Sequence, residues 1–179
     1  MNGTAPESLL RRTFSFPHPV NEKAARVVAG VVVAVATTAL VLGLLVSTDW
    51  LWLSLPLALG FVARALTGPT LSPLGRLAMA VAPRLGAAKP VPGPPKRFAQ
   101  VIGAVFTGLT TAAVALSHPV LAEVLLGLMI VAAGLEAFLA YCLGCTVFGW
   151  LMRIGVIPEE TCEACNNLAL RGTPVTRVS

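Results

Sequence analysis

Four long apolar stretches dominate the chain, and nearly all of its charge falls between them or near the two ends. A helix that crosses a membrane needs about 20 apolar residues. The stretches at about 24–46, 98–117 and 120–141 meet that length, and one at about 50–66 approaches it. Local signals mark where they begin. Asn21 precedes the first as an N-cap, Pro94-Pro95 lead into the third, and Pro119 stands at the first position of the fourth. Trp50 and Trp52 open the second, which also contains Pro56. The pattern predicts an all-α, polytopic membrane protein with four transmembrane helices in a bundle.

The gaps between these stretches differ in kind. Ser47, Thr48 and Asp49 separate the first two, and Ser117, His118 and Pro119 separate the last two. The central gap, 67–97, is long enough for structure of its own. Ser72-Pro73 reads as an N-cap and a first-turn proline, with Leu74, Leu77 and Val81 on one face and Arg76 polar. That predicts a short amphipathic surface helix, ended or kinked by Pro83 with Gly86 just beyond. Pro90-Val91-Pro92-Gly93-Pro94-Pro95 reads as a stiff extended connector. The chain thus divides into a tail (1–20), a membrane domain (21–157) and a cysteine-containing tail (158–179).

Composition strengthens the membrane reading. Only 12% of residues are charged and 56% are hydrophobic, where a soluble domain carries about a quarter charged. Residues 1–22 hold arginines and prolines without an apolar run, so a cleavable signal peptide is not expected there. All 13 Lys and Arg lie in the N-terminal tail or first turn of the first stretch, at the inner end of the second, in the central loop and entry of the third, or after the fourth. The positive-inside rule therefore places both termini and the central loop in the cytoplasm, with the chain multi-pass in a bacterial inner membrane. The net charge of +5 lies beside the bilayer, not on a soluble basic face, which argues against nucleic acid.

Small residues at four-residue intervals let membrane helices approach closely. Gly30/Ala34/Thr38, Ala104/Gly108/Ala112 and Ala132/Glu136/Ala140/Gly144 are candidate rows. The last embeds a carboxylate. Glu136 lies about 24 Å along the fourth helix from its outer end, and Arg64 about 21 Å along the second from the same side. Matching depths predict an Arg64–Glu136 ion pair, with reception of an anion by Arg64 or proton movement by Glu136 as functional alternatives. Asp49, His118 and Glu123 fall together at the other rim, where a solvated histidine is the plain reading.

The cysteines carry the candidate chemistry. All four occur in two C-x-x-C pairs, Cys142/Cys145 and Cys162/Cys165. In a reducing compartment permanent disulfides are not expected. Such a pair can run thiol–disulfide exchange or sulfur relay, one thiolate attacking and the other resolving. All four are candidate catalytic residues. The spacing C-x2-C-x16-C-x2-C also fits a four-thiolate zinc site stapling the tail to a scaffold-type membrane protein. Without that site no cofactor is called for. On a straight helix Cys145 lies 180° and Cys142 240° from Glu136, so the thiols would face away from it. Thiol chemistry implies a soluble cytoplasmic partner, thioredoxin-like or rhodanese-like. A small-anion transporter subunit using Arg64, which would need oligomers, is a third class.

Several segments resemble a bacterial membrane family, domain of unknown function 4395. They are Val20-Asn21-Glu22-Lys23-Ala24-Ala25-Arg26, Gly68-Pro69-Thr70-Leu71-Ser72-Pro73, Pro94-Pro95-Lys96-Arg97-Phe98-Ala99-Gln100 and Cys142-Leu143-Gly144-Cys145, within roughly 15–155. The family is similar to the four-helix DoxX and MauE membrane proteins. That resemblance implies a four-helix fold and a link to thiol redox, disulfide formation or sulfur oxidation. Only Cys142 and Cys145 carry over from it.

Overall fold

A computed structural model describes residues 20–158 apart from 70, 71 and 88. The described residues form six α-helices: α1 (Glu22–Leu45), α2 (Ser54–Thr67), α3 (Pro73–Val81), α4 (Gly93–Ala115), α5 (Pro119–Leu139) and α6 (Leu143–Arg153). A 3-10 turn, Thr48–Leu53, runs into α2, and together they make one apolar run of 20 residues. That run, α1, α4 and α5 are each long and apolar enough to cross a membrane. The all-α, polytopic architecture follows. The cysteine tail 158–179, with Cys162 and Cys165, lies outside the described residues from position 159 onward, as does the N-terminal tail up to 19.

The helices begin where the local chemistry directs. Asn21 accepts the N–H of Lys23 at 3.0 Å to cap α1, and Ser72 accepts that of Gly75 at 3.2 Å to cap α3. Pro119 occupies the first turn of α5. The third span starts earlier than its apolar run, because Pro94 and Pro95 form the first turn of α4. Their fixed φ suits a helix N-terminus and their missing N–H groups are not needed there. The connector is correspondingly shorter. Pro90 and Val91 pair antiparallel with Asn21 and Val20 in a two-stranded ribbon that ties the entry of α1 to that of α4.

Packing runs α1 on α5, α5 on α4 and α4 on α2, with α3 against α1 and α6 against α4. The buried faces are offset from the rows of small residues expected from sequence. In α1 the core face is Val28, Val32, Ala36, Ala39 and Gly43, whereas Ala34 and Thr38 are exposed. In α4 it is Gly103, Thr107, Thr110 and Ala113, one position from the expected row. Close approach is real at Gly103, where an added Cβ would overlap the Phe61 ring of α2. The threonines bond back to their own helix, Thr107 to Gly103 O at 2.7 Å and Thr110 to Phe106 O at 2.9 Å.

The surface helix α3 is rotated from expectation. Leu74 and Val81 are half-buried, with Leu74 packed on the core, but Leu77 is 56% exposed and Gly75 and Ala78 form the buried face. A Cβ on Gly75 would come within 2.8 Å of the Pro69 backbone, so the small face must point inward. The α-helix ends at Val81, just ahead of Pro83 as expected, and the chain runs on as a 3-10 turn, Ala82–Leu85, closed by Gly86 at φ +105°.

Candidate functional site

The site sits where α5 stops. The chain does not continue helically into the cysteines. Ala140 adopts the left-handed conformation at φ +57°, and the N–H of Tyr141 returns to Leu135 O at 3.0 Å. The broken helix leaves carbonyls without partners. Arg26 of α1 supplies them, its Nε donating to Ala137 O at 3.0 Å and its Nη2 to Phe138 O at 3.2 Å.

The break re-aims the thiols. Cys142 becomes the N-cap of α6, and its Sγ accepts the N–H of Cys145 at 3.3 Å. Gly144 then lies flat on α4, where an added Cβ would sit 2.6 Å from Ala99 Cβ and 2.7 Å from its Cα. The expectation that Cys142 and Cys145 face away from Glu136 rests on a straight helix and does not hold. Cys142 is buried, and together with Glu136 it lines a small cavity of about 90 Å³ that Gly144 also borders.

Glu136 has a different partner from the one its depth implies. Lys96, in the first turns of α4, donates its ammonium to Glu136 Oε1 in a buried ion pair. The expected Arg64–Glu136 pair is absent. The early start of α4 brings Lys96 inside the bundle, where it meets the carboxylate first. Arg64 instead donates from Nε to Gln100 Oε1 at 2.9 Å, reaches to 3.5 Å of Ser72 Oγ with Nη1, and stacks over the Phe61 ring at 4.6 Å.

The electrostatics of the two thiols diverge. The hydrogen bond from the Cys145 thiol holds Cys142 below the ordinary thiol range, and the Lys96 ammonium and Cys145 N–H help; burial and Glu136 oppose. The same bond, with burial, pushes Cys145 upward. A thiolate at a helix N-terminus beside an ammonium is the arrangement that activates cysteines. Both sulfurs open onto a pocket of about 600 Å³, whose wall includes Lys96, Tyr141, Phe148 and Arg153.

Sequence reasoning missed Lys96, Gln100 and Arg26. The first two are one helical turn apart, and Gly103 and Thr107 continue their face. Placing the α4 N-terminus at Pro94 would have exposed that signal. No local signal points to Arg26, whose acceptors lie 111 and 112 residues away. Among the described residues no three His, Cys, Asp or Glu side chains could hold a metal ion together. The tail ligands of the four-thiolate arrangement lie outside the described residues.

The family described as Domain of unknown function (DUF4395) matches residues 20–153, which take in every helix and both described cysteines. No curated protein and no solved structure matches the chain.

Proposed function

The chain belongs to this family, whose description carries no activity, and we propose that it is a membrane thiol–disulfide exchange protein working through Cys142 and Cys145. One observation carries the reading: Cys142 Sγ caps α6 while sharing a wide pocket with Lys96 and Cys145. Cys142 takes the attacking role because its Sγ stands at the N-terminus of α6 and accepts the Cys145 N–H, and the opposed electrostatics of the pair agree.

In the proposed cycle the Cys142 thiolate attacks one sulfur of a partner disulfide. That S–S bond breaks, a mixed disulfide forms, and the partner's other sulfur leaves as a thiolate that takes a proton from water. Cys145 then loses its proton to water and attacks the Cys142 sulfur, releasing the partner's second thiolate. The partner gains two electrons and the Cys142–Cys145 pair is left as a disulfide. The reverse sequence on a dithiol restores the pair. A sulfur relay would use the same nucleophile, but a poised resolving thiol favours exchange. The partner's chemistry in this exchange is that of a thioredoxin-like protein, while a rhodanese-like one, carrying a persulfide, would fit the sulfur relay. Positive charge gathered at the thiol end favours a cytoplasmic encounter in the bacterial inner membrane.

The test uses the full chain with Cys162→Ser and Cys165→Ser, equilibrated in glutathione redox buffers. Two titratable thiols should disappear together on oxidation and return on reduction. If both thiols persist at every potential tried, exchange is excluded. About one zinc per wild-type chain, lost in that tail variant, would carry the four-thiolate scaffold instead.

A further inference from the structure

The geometry points to a second site, separate from the thiol pocket although Lys96 borders both: the cleft bordered by α1, α2, α3 and α4 binds the oxyanion of a phosphate or sulfur oxyacid at Arg64. The argument starts from charge. Arg64 is 5% exposed and Lys96 is 7% exposed, so two cations are buried near one another. The four carboxylates among the described residues are Glu22, Asp49, Glu123 and Glu136. Glu136 is taken up by Lys96, and Glu22 pairs with Lys89 at 3.0 Å. Asp49 bonds to Ser47 and Glu123 lies near the start of α5, both at the opposite end of the bundle. Among the described residues Arg64 has no carboxylate within ion-pair distance; Glu136, held by Lys96, acts on it only from farther off. A buried charge without a paired counter-charge is costly, more so at membrane depth.

Donor accounting gives the same answer. Nε of Arg64 has Gln100 as acceptor and Nη1 has only the long contact to Ser72. Nη2 is buried and has no acceptor among the described residues. An orphaned buried donor costs about 1–3 kcal/mol, and more when charged. Guanidinium donors are arranged in a fork that fits an oxyanion with two oxygens.

Space is provided beside it. Arg64 lines a cleft of about 110 Å³ together with Asn21, Val28, Ala78, Lys96 and Gln100. That volume holds several waters or one small oxyanion. Asn21, Gln100 and Lys96 add polar groups on the same walls, and the rest is apolar. A free inorganic anion and the phosphate of an anionic lipid share this chemistry, and the cleft borders helices that face lipid.

The experiment uses the full chain purified in detergent without phosphate or sulfate. Inorganic phosphate and thiosulfate are titrated calorimetrically, and lipid retention is read by native mass spectrometry from phosphatidylglycerol and phosphatidylcholine nanodiscs. Three variants accompany the wild type. Arg64→Gln removes the charge, Arg64→Lys keeps it without the fork, and Met79→Trp narrows the cleft from its exposed side. Saturable binding of either inorganic anion, weakened at least tenfold by Arg64→Lys and by Met79→Trp, supports the site with a free anion as ligand. One retained phosphatidylglycerol per chain, lost in those variants while phosphatidylcholine is never retained, supports it with a lipid headgroup. If Arg64→Gln does not fold, the other two variants decide. No binding of any probe to the wild type, or equal binding by the variants, overturns the proposal.

Discussion

At the scale of single residues, the chemistry turns on how few groups surround Cys142. The Cys145 thiol, the Lys96 ammonium and the α6 N-terminus favour its thiolate, while burial and Glu136 disfavour it. Alkylation by a neutral reagent follows the thiolate fraction, so its pH profile reads this balance directly. The midpoint for Cys142 should lie below that of an ordinary cysteine. Cys145→Ala removes a donor to the sulfur and should move the midpoint up, as should Lys96→Met. Glu136→Gln removes a repelling charge and should move it down. Rates of iodoacetamide labelling across pH, in the tail-cysteine variant, check all three. A profile indifferent to Lys96 would mean that the ammonium does not act on the thiol. Ala140 makes a separate point. A non-glycine residue in the left-handed region costs about 1–2 kcal/mol, of which the greater flexibility of glycine in the unfolded chain returns part. Ala140→Gly should therefore stabilise the fold by roughly 0.5–1 kcal/mol, seen as a higher Tm in detergent.

At the scale of elements, the α5–α6 junction decides what the thiols face. Gly144 permits α6 to lie on α4, since any side chain there meets the Ala99 backbone. Gly144→Val should cost about 1–3 kcal/mol or more by overpacking. It should also lift α6 and speed labelling of Cys142 by a bulky maleimide. Gly108→Ala, whose added Cβ meets nothing within 4 Å, is the neutral control. Equal Tm values for the two variants would show that the close contact is not required. This junction also marks where the sequence stopped being readable. The spans and their caps were legible because apolar length and Asn21, Ser72 and Pro119 are local signals. The break was not, because Leu139-Ala140-Tyr141 holds neither Gly nor Pro. It is held by two tertiary contacts, the Arg26 clasp and the Gly144 seat, together with the local sulfur cap. The site was half legible for the same reason. Cys142, Cys145 and Glu136 stood out by type. Lys96 did not, because a lysine beside two prolines at the edge of an apolar run reads as a solvated flank until the helix is seen to begin at Gly93.

At the scale of the whole molecule, polar chemistry is gathered at one end. The thiol pocket, the Lys96–Glu136 pair, Arg64 and the clasping Arg26 all lie where α1 and α4 begin and α2 and α5 end. Arg97 joins them, donating to Ala65 O at 2.9 Å near the end of α2. Among the described residues the opposite end carries the short connections through Ser47 and His118, with Asp49 and Glu123 but no Lys or Arg. Charge placed this way should fix the orientation, with the thiol end cytoplasmic. His118 and Arg84 are both exposed and lie at opposite ends, so each can report a side. In a variant with all four cysteines changed to serine, His118→Cys should react with a membrane-impermeant maleimide on intact cells. Arg84→Cys should react only after the membrane is opened. The two results together place the pocket in a compartment that keeps thiols reduced, where Cys142 can meet a soluble exchange partner. The reverse pattern would put the same pocket on the oxidising side. Exchange with a thioredoxin-like cytoplasmic protein would then be impossible, whatever the reactivity of Cys142.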